Sequence, residues 1–520
     1  MKRIREIVKN MEEAQLGIGY YVLTFVFITF LRNFLEMLSI DEGIMDFLFE
    51  MIFHYSFFYI AILFSFILLF RVVLGVSIDK LYKIMVPGFM ILLLPPLTDL
   101  VMTAGMGFQM TYILPGTHVD LWLRYFTFFG QFDGSGVSPG IKLEIAIVLL
   151  ATAFYSWFKL KQWWRTVLLV WAMYSVFFLY GITPYVVMWM LEAMGKSVSF
   201  INLPHMLLPY YFMALIVIQA VGLLAWHNRP LFMMLIRDIR PLRVSHYVMM
   251  LVFGLVYAGS YSQGFIWSAE HVFEFAFIIV AIILAILFSI VTNNIADIEI
   301  DSISNIQRPL VRGNISLENY QKLAAPFFVL AIGFAAVVSI TAMFIILLFI
   351  GNYFIYSMPP LRLKRLPIIS KAIIGLNSVI FIMLGFHFVT GSIADFPKSF
   401  ILNFVLLLTL TVNFIDIKDY EGDKKAGIKT LPVLIGLRPA KIIIGLLMLA
   451  AYLYAWYLLN NKWSFDTWTL GVFASLGILQ FIVINKKAYN EKWVFATYLI
   501  SIIAFIAYWK WKAFELTAIL

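Results

Sequence analysis

The 520-residue sequence contains no cysteine, which excludes disulfide bonds, thiolate metal sites and a cysteine nucleophile. Charge is also scarce: charged residues make up only 13% of the chain, whereas about a quarter of an ordinary soluble domain is charged. Segments of about ten residues that alternate between apolar and polar, as in outer-membrane barrels, are not seen either. The sequence therefore does not describe a disulfide-stabilised secreted domain or an ordinary soluble enzyme.

Apolar residues, in contrast, are abundant and make up 62% of the chain. Between the clusters of charge they form about 15 runs that are long enough to cross a bilayer as α-helices. This pattern predicts an all-α polytopic membrane protein. The six predicted spans before residue 227 are 17–35, 50–70, 84–104, 143–159, 166–190 and 203–226. The nine that follow are 246–261, 272–292, 322–339, 341–356, 372–391, 400–415, 439–459, 466–484 and 493–511.

The basic residues are distributed unevenly among the loops. The net charge is +9, and 30 of the 38 lysines and arginines fall in the N-terminal segment and in alternate loops. Because basic residues collect on the cytoplasmic side of membrane proteins, we expect these loops to be cytoplasmic. The positive charge is then explained by orientation in the membrane, and no nucleic-acid partner is expected. The first 15 residues are expected to form a cytoplasmic amphipathic segment that leads into the first span, and not a signal peptide.

The segment 227–246 is the strongest candidate for a domain boundary, since it carries four arginines and two prolines between two apolar blocks. We expect residues 1–230 to form an N-terminal transmembrane region of unknown role and residues 235–520 to form a second membrane domain. The polar residues of unusual chemistry all lie in three loops of this second domain. The charge distribution predicts that all three loops are cytoplasmic.

The first polar loop directly follows the apolar run 272–292. It places Asn293, Asp297 and Asp301 four residues apart. In a continuing helix, residues at this spacing lie on one face, about 6 Å apart along the axis. Carboxylate and amide oxygens suit Mg²⁺, a hard ion that completes its shell with water and with phosphate. The spacing therefore predicts a metal site at the end of this span.

The second polar loop, "YSMPPLRLKRLP" at 356–367, contains two prolines that are expected to stop a helix. Arg362, Lys364 and Arg365 follow directly after them. Guanidinium and ammonium groups are the usual protein partners of phosphate oxygens. The loop is therefore a candidate phosphate-binding segment.

The third polar loop, "DIKDYEGDKKAGIKTLP" at 416–432, carries Asp416, Asp419 and Asp423 at spacings that one helical face can hold. Gly427 and Pro432 are expected to end this element. Taken singly, the three loops have ordinary interpretations as a solvated acidic face, a basic membrane anchor and a charged turn. Two acidic stripes with a basic proline turn between them predict instead a site where Mg²⁺ bridges a phosphate to the protein.

Together the three loops resemble the motifs of the UbiA superfamily of intramembrane prenyltransferases. The family's first motif, N-D-x-x-D-x-x-x-D followed by Arg-Pro, corresponds to residues 293–301 and 308–309. Its second motif, D-x-x-x-D leading to Gly and Thr-Leu-Pro, corresponds to residues 419–432. The resemblance covers about residues 235–515. Asn294 stands where the family has Asp, which puts the metal coordination at that position in question.

The resemblance implies a nine-helix UbiA-like bundle preceded by about six additional transmembrane helices. It implies transfer of a polyprenyl group from its diphosphate to a lipophilic acceptor, with Mg²⁺ as the cofactor and Mn²⁺ as a substitute. The apolar bundle would hold the isoprenoid tail and exclude water from the cation. The implied catalytic residues are Asp297, Asp301, Asp419 and Asp423. The implied diphosphate-binding residues are Asn293, Arg308, Tyr356, Arg362, Lys364 and Arg365. The implied metal ligands are Asn293, Asn294, Asp297, Asp301, Asp416, Asp419 and Asp423.

Three questions stay open at this point. A secondary transporter also places acidic residues in a many-helix bundle, although those are expected near the bilayer midplane and not in loops rich in lysine and arginine. The acceptor is an aromatic quinone precursor, a glycerol-type lipid alcohol or a tetrapyrrole. The first six helices have no counterpart in the family. They are expected to act in docking, acceptor delivery or partner binding, with acceptor delivery preferred, or else to stabilise or oligomerise the protein.

Overall fold

The structure is a computed structural model that describes residues 2–37, 54–108, 112–130, 137–193, 207–259, 267–425, 427–463 and 466–519. In these ranges every regular element is a helix. Fifteen helical segments are long and apolar enough to cross a membrane, six before residue 228 and nine after it. The predicted all-α polytopic fold is confirmed, and the chain is an integral multi-pass membrane protein.

The chain divides into two compact units, Met1–Phe232 and Met233–Leu520. The first unit contains six of the spanning segments. A 3₁₀ helix, Phe89–Leu93, connects its fourth and fifth helices. Its α-helices are α1 (Lys2–Glu13), α2 (Ile18–Met37), α3 (Ser56–Leu74), α4 (Ile78–Gly88), α5 (Leu94–Met102), α6 (His118–Phe126), α7 (Pro139–Leu160), α8 (Trp163–Gly181), α9 (Thr183–Ala193) and α10 (Leu208–His227). A short helix, α11 (Arg229–Asp238), contains the boundary between the units.

The second unit contains the other nine spanning segments. Short 3₁₀ helices at Leu363–Arg365 and Val412–Ile417 lie beside two of them. Its α-helices are α12 (Pro241–Ala258), α13 (Ala269–Ala296), α14 (Ile298–Ser304), α15 (Leu317–Gln321), α16 (Ala324–Val338), α17 (Ile340–Ser357), α18 (Pro367–Thr390), α19 (Lys398–Thr411), α20 (Tyr420–Lys425), α21 (Leu431–Ile435), α22 (Leu437–Trp463), α23 (Trp468–Asn485) and α24 (Glu491–Ile519).

Two predicted span boundaries differ in detail from the structure. The predicted span 166–190 is divided at Ile182 into α8 and α9. The spans predicted at 322–339 and 341–356 are separated by a single extended residue, Ser339, whose hydroxyl accepts a hydrogen bond from the Ala342 N–H at 3.0 Å. A serine N-cap of this kind satisfies a backbone donor that the first turn of a helix leaves free. It therefore lets α17 begin directly after α16.

In the first unit, a buried carboxylate holds the start of α7. Asp99 on α5 accepts hydrogen bonds from the Gly140 N–H at 2.8 Å and from the Ser138 hydroxyl at 2.5 Å. An anionic side chain at a helix N-terminus is favourable because the free N–H groups there carry partial positive charge. Gly140 fits this contact because a Cβ on it would lie 2.7 Å from the Pro95 carbonyl oxygen. Asp99 therefore acts as a structural tie between α5 and α7.

In the second unit, α12 and α18 cross at two glycines. A Cβ on Gly254 would lie 2.0 Å from the Ile382 carbonyl oxygen, and a Cβ on Gly385 would lie 2.0 Å from the Leu251 carbonyl oxygen. Small residues at such crossings let helix backbones approach closely inside a membrane. The crossing fixes the relative position of two helices that both carry residues of the polar cavity described below.

Candidate active site

The first acidic motif lies where α13 gives way to α14. The α-helix is interrupted at Asp297, whose φ and ψ are −111° and 14°. The four-residue hydrogen-bond spacing nevertheless continues: the N–H of Asp297 donates to the Asn293 carbonyl at 2.9 Å, that of Asp301 to the Asp297 carbonyl at 2.8 Å, and that of Asn305 to the Asp301 carbonyl at 2.8 Å. The polar stripe predicted from the spacing is therefore kept across the interruption, and it extends one step further to Asn305.

The second acidic motif runs from the 3₁₀ helix Val412–Ile417 into α20. The Asp423 N–H donates to the Asp419 carbonyl at 2.8 Å, which sets the two side chains one helical turn apart. Gly427 has φ of +69° just after α20, as expected of a glycine that ends a helix. The prediction that Pro432 also ends the element is wrong. Pro432 lies in the first turn of α21, where a proline is tolerated because that N–H has no helical partner.

One side chain joins the two acidic motifs. The Nδ2 of Asn305 donates to Asp301 Oδ1 at 2.8 Å and to Asp419 Oδ1 at 3.2 Å. In addition, α14 packs directly against α20. The structure thus brings together two motifs that are more than 100 residues apart in sequence. Asn305 was missed by the sequence analysis, although it continues the spacing of four from Asn293 through Asp301.

The basic proline turn contacts the first motif. As predicted, α17 ends at Ser357, before Pro359 and Pro360, and Arg362 then adopts a left-handed conformation with φ of +42°. Arg362 Nη2 donates to Asp297 Oδ1 at 2.8 Å and to the Ala296 carbonyl at 3.0 Å. The Lys364 ammonium group also contacts Asp297 Oδ1. Burial lowers the pKa of Lys364 below its usual range, although the Asp297 carboxylate opposes this shift.

The polar segments line one cavity of about 170 Å³ in the second unit. Nine of the twelve predicted site residues contribute to its wall: Asn293, Asp297, Asp301, Arg308, Tyr356, Lys364, Asp416, Asp419 and Asp423. The other three, Asn294, Arg362 and Arg365, are not among the described residues that line it. Arg362 lies against Asp297, whereas Arg365 is exposed.

Asn294 belongs to a buried polar network with α11 and α15. Its Nδ2 donates to Tyr320 Oη at 2.8 Å and to Asp238 Oδ2 at 3.3 Å, and its Oδ1 accepts from Arg240 at 3.2 Å. The Tyr320 hydroxyl donates to the same Asp238 oxygen at 2.6 Å. An aspartate at position 294 would place a second carboxylate beside Asp238, whereas the asparagine amide donates to it. This contact gives a physical reason for the departure from the family motif.

Several functional groups of the cavity were not predicted as site residues. Lys371 on α18 pairs with Asp416, and both side chains are buried. Arg240 and Arg243 line the cavity at the start of α12. In the sequence, Lys371 directly precedes the predicted span 372–391 and belongs to the basic loop before it, whereas in the structure it lies within α18, which begins at Pro367. A charged side chain inside a span requires a partner. The pairing of Lys371 with Asp416 depends on the packing of α18 and was not readable from the sequence.

On the acidic side of the cavity, the carboxylates carry more negative charge than the neighbouring basic side chains neutralise. The pKa of Asp423 is raised to about 7, first by burial and then by the nearby carboxylates of Asp419 and Asp416. Burial also raises the pKa of Asp301, although Arg308 opposes the shift, with its Nε 3.7 Å from Asp301 Oδ2. That Oδ2 atom is buried and has no hydrogen-bond partner. The missing countercharge favours a bound cation here.

The basic side of the cavity has the opposite imbalance. Burial and the neighbouring guanidinium groups of Arg243 and Arg308 lower the pKa of Arg240. Clustered guanidinium groups favour an anion, and phosphate is the anion whose geometry they match best. One wall of the cavity therefore favours a bound cation, and the other wall favours a bound anion.

The donor atoms of the acidic wall fit Mg²⁺ chemically, because they are carboxylate and amide oxygens. In the described part of the chain, no three acidic or histidine side chains are already close enough to hold one ion together. Mg²⁺ commonly uses one or two carboxylates and completes its octahedral shell with water and substrate phosphate. The residues therefore fit an ion that arrives with a phosphate, and do not form a preformed all-protein cage.

The fold is that of a helical membrane protein, and the side chains of its polar cavity fit a hard divalent cation on one wall and a phosphate on the other. A model of the UbiA prenyltransferase family matches residues 247–508, which is half of the chain. The chain belongs to this family, which confirms the resemblance inferred from the motifs.

Two individual proteins are similar in sequence to part of this chain. A probable homogentisate phytyltransferase 2 from Oryza sativa subsp. japonica is 32% identical over 196 residues, which cover 35% of this chain and 51% of that protein. A digeranylgeranylglyceryl phosphate synthase from Methanobrevibacter smithii is 32% identical over 196 residues, covering 35% of this chain and 69% of that protein. The chain thus spans about half the length of the first relative.

A solved UbiA homolog from Archaeoglobus fulgidus, bound to GPP and Mg²⁺, is also similar. Its sequence is 20% identical, the match covers 53% of this chain and 98% of that chain, and the TM-score is 0.41.

Proposed function

We propose that the protein is a Mg²⁺-dependent prenyltransferase that moves a polyprenyl group from its diphosphate to a lipophilic acceptor. The observation that carries this proposal is the single cavity that joins two carboxylate motifs, a group of basic side chains and a wall of tyrosines. Family membership and the names of the relatives support it.

The diphosphate is held by basic side chains that line the cavity, above all Arg308 and Lys364. Arg362 has a different role, because it is not among the described residues that line the cavity and its guanidinium group donates to Asp297 and to the Ala296 carbonyl. Lys364 also contacts Asp297, but it lines the cavity. Arg362 orients the Asp297 carboxylate, which also accepts a hydrogen bond at 2.8 Å from the Asn293 amide. Arg365 is exposed and is left without a role in donor binding.

Divalent metal would be held by Asn293, Asp297 and Asp301 of the first acidic motif and by Asp419 and Asp423 of the second. Asp416 is a weaker candidate because Lys371 already neutralises it. Bound Mg²⁺ supplies positive charge next to the departing diphosphate, where negative charge develops as the allylic C–O bond breaks. Asn294 is assigned to the Asp238 network and not to the metal.

The aromatic wall protects and stabilises the allylic cation. Tyr247, Tyr353 and Tyr356 line the cavity, and the first two join through their hydroxyl groups at 2.5 Å. The negative faces of aromatic rings attract cations, and a water-poor site prevents capture of the cation by water. The acceptor is an aromatic or a lipid-like alcohol, the two classes named among the relatives. We place the polar loops on the cytoplasmic side, in accordance with the distribution of basic residues.

The test is an assay of the purified full-length protein with a radiolabelled polyprenyl diphosphate and a panel of aromatic and glycerol-type acceptors, analysed by mass spectrometry of the lipid products. We expect product formation that requires Mg²⁺ or Mn²⁺ and stops when EDTA is added. Asp297→Asn and Asp423→Asn should abolish it, because each removes one anionic oxygen at nearly constant volume. Full turnover by both folded variants would exclude the two-motif metal site.

The same experiment separates this proposal from ion-coupled transport. The acidic residues of the cavity lie at or beyond the ends of the spanning segments, which does not favour a transport site at the bilayer midplane. A protein that forms no prenylated product but moves a solute across vesicles in response to an ion gradient would support the transporter.

A further inference from the structure

The first unit contains its own cavity, larger than the polar cavity of the second unit. Its volume is about 450 Å³, which lies within the range of small-molecule binding sites. The walls come from α3, α4, the following 3₁₀ helix, α7 and α8. Aliphatic and aromatic side chains make up most of them, and the aromatic ones include Phe58, Phe66, Phe70, Phe89, Phe129 and Phe177. Such walls favour an elongated hydrocarbon over a water-soluble ligand.

Two charged side chains also contribute to this apolar cavity, Arg32 from α2 and Glu144 from α7. Arg32 forms a buried ion pair with Glu36 one turn further along α2, so its charge is balanced within the protein. The Glu144 carboxyl group is 7% exposed, and the charged group that acts on it is Arg32, which already pairs with Glu36. In the described part of the chain, no hydrogen bond to this carboxyl group is found. Ionisable groups inside membrane spans are costly and commonly mark a binding site.

We propose that the first unit binds a neutral lipophile that carries a hydroxyl group, with the hydrocarbon against the aromatic wall and the hydroxyl donating to the Glu144 carboxyl group. An anionic ligand does not fit, because Glu36 already balances the positive charge of Arg32. A hydrocarbon with no polar group does not fit either, since it would leave the Glu144 carboxyl group without a hydrogen-bond partner in apolar surroundings, where Arg32 is its charged neighbour. This inference depends on the first unit alone and does not require the proposed prenyl transfer.

The test uses a C20 isoprenoid alcohol that carries a photoreactive diazirine, added to the full-length protein in lipid nanodiscs. Labelled peptides are identified by mass spectrometry. We expect labelling of peptides from α3, α4 and α7, displaced by the unlabelled alcohol but not by the corresponding saturated hydrocarbon. Equal displacement by the hydrocarbon would show that the carboxyl group does not recognise a hydroxyl, and would overturn the proposal. Labelling confined to lipid-exposed side chains would also overturn it.

Three variants sharpen the result. Glu144→Leu should weaken binding about tenfold, the effect of losing one hydrogen bond to a carboxyl group. Thr152→Trp should abolish binding, because Thr152 is buried and lines the cavity. Leu150→Trp is the matched control: it lies on the same helix, is 71% exposed and should bind normally. If Thr152→Trp does not fold, the test is the affinity of Glu144→Leu for the alcohol compared with that of the wild type. An unchanged affinity refutes the site.

The same measurement in Asp423→Asn keeps the two proposals apart. Asp423 lies in the second unit, so this variant should label normally in the first unit even if it is inactive in prenyl transfer. If Asp423→Asn is inactive in prenyl transfer but its first unit is labelled normally, the result supports the first-unit site independently of the proposed prenyl transfer. Loss of labelling in Asp423→Asn would contradict the assignment of the probe to the first unit.

Discussion

Replacing Asn305 by alanine tests whether the two acidic motifs act as one site. Its amide makes two hydrogen bonds, to Asp301 Oδ1 at 2.8 Å and to Asp419 Oδ1 at 3.2 Å. A hydrogen bond to a charged group contributes about 1.5–3 kcal/mol when buried. The side chain is only half-buried and water can replace part of the loss, so we expect about 2 kcal/mol for both bonds together. This corresponds to about a 30-fold loss in kcat/KM for the donor.

The assay is initial-rate prenyl transfer over a series of donor and Mg²⁺ concentrations. With the two motifs no longer tied, more Mg²⁺ should be needed for half-maximal rate, while the KM for the acceptor should change little. Asn314→Ala is the matched control, since Asn314 lies in the same segment and is exposed. A folded Asn305→Ala variant with unchanged rate and unchanged Mg²⁺ requirement would refute the tie between the motifs.

Five further predictions concern the second unit. The raised pKa of Asp423, about 7, predicts that Mg²⁺ affinity falls as the pH is lowered from 8 to 6, because the protonated carboxyl holds a cation poorly; Asp423→Asn should lose this dependence. A raised carboxyl pKa stabilises the folded state at low pH and loses that contribution as the pH rises through 7, so EDTA-treated protein should have a higher Tm at pH 6 than at pH 8, and added Mg²⁺ should reduce the difference. Lys364→Ala should raise the KM for the donor and leave that for the acceptor unchanged, and the reverse result would assign this loop to the acceptor. Gly385→Ala should lower the Tm by several degrees because its Cβ would overlap a backbone oxygen, whereas Gly351→Ala, which meets open space, should not. Residues 235–520 expressed alone in membranes should retain prenyl transfer with saturating acceptor; a folded fragment that binds diphosphate but transfers nothing would show that the first unit contributes to the reaction.

Local periodicity explains what the sequence predicted well. A run of about 20 apolar residues has one stable solution in a bilayer, the hydrogen-bonded helix, so the spans were readable without knowledge of their neighbours. The spacing of Asn293, Asp297 and Asp301 was equally local, since residues four apart meet through the chain's own hydrogen bonds. The helix end before Pro359 followed from the chemistry of proline itself.

The partners of those residues were decided only by the tertiary structure. Nothing near Asp416 in the sequence indicates Lys371, which reaches it from another span, and nothing near Asn305 indicates Asp419. Their places in the motifs predict Asn294 as a metal ligand and Arg365 as a phosphate ligand. In the structure, α11 and α15 pack so that the Asn294 amide donates a hydrogen bond to Asp238. Arg365, in the basic proline turn, is exposed. A polar side chain shows by its type that it needs a partner, but which partner it finds depends on how distant helices pack, and that is not encoded in its local spacing.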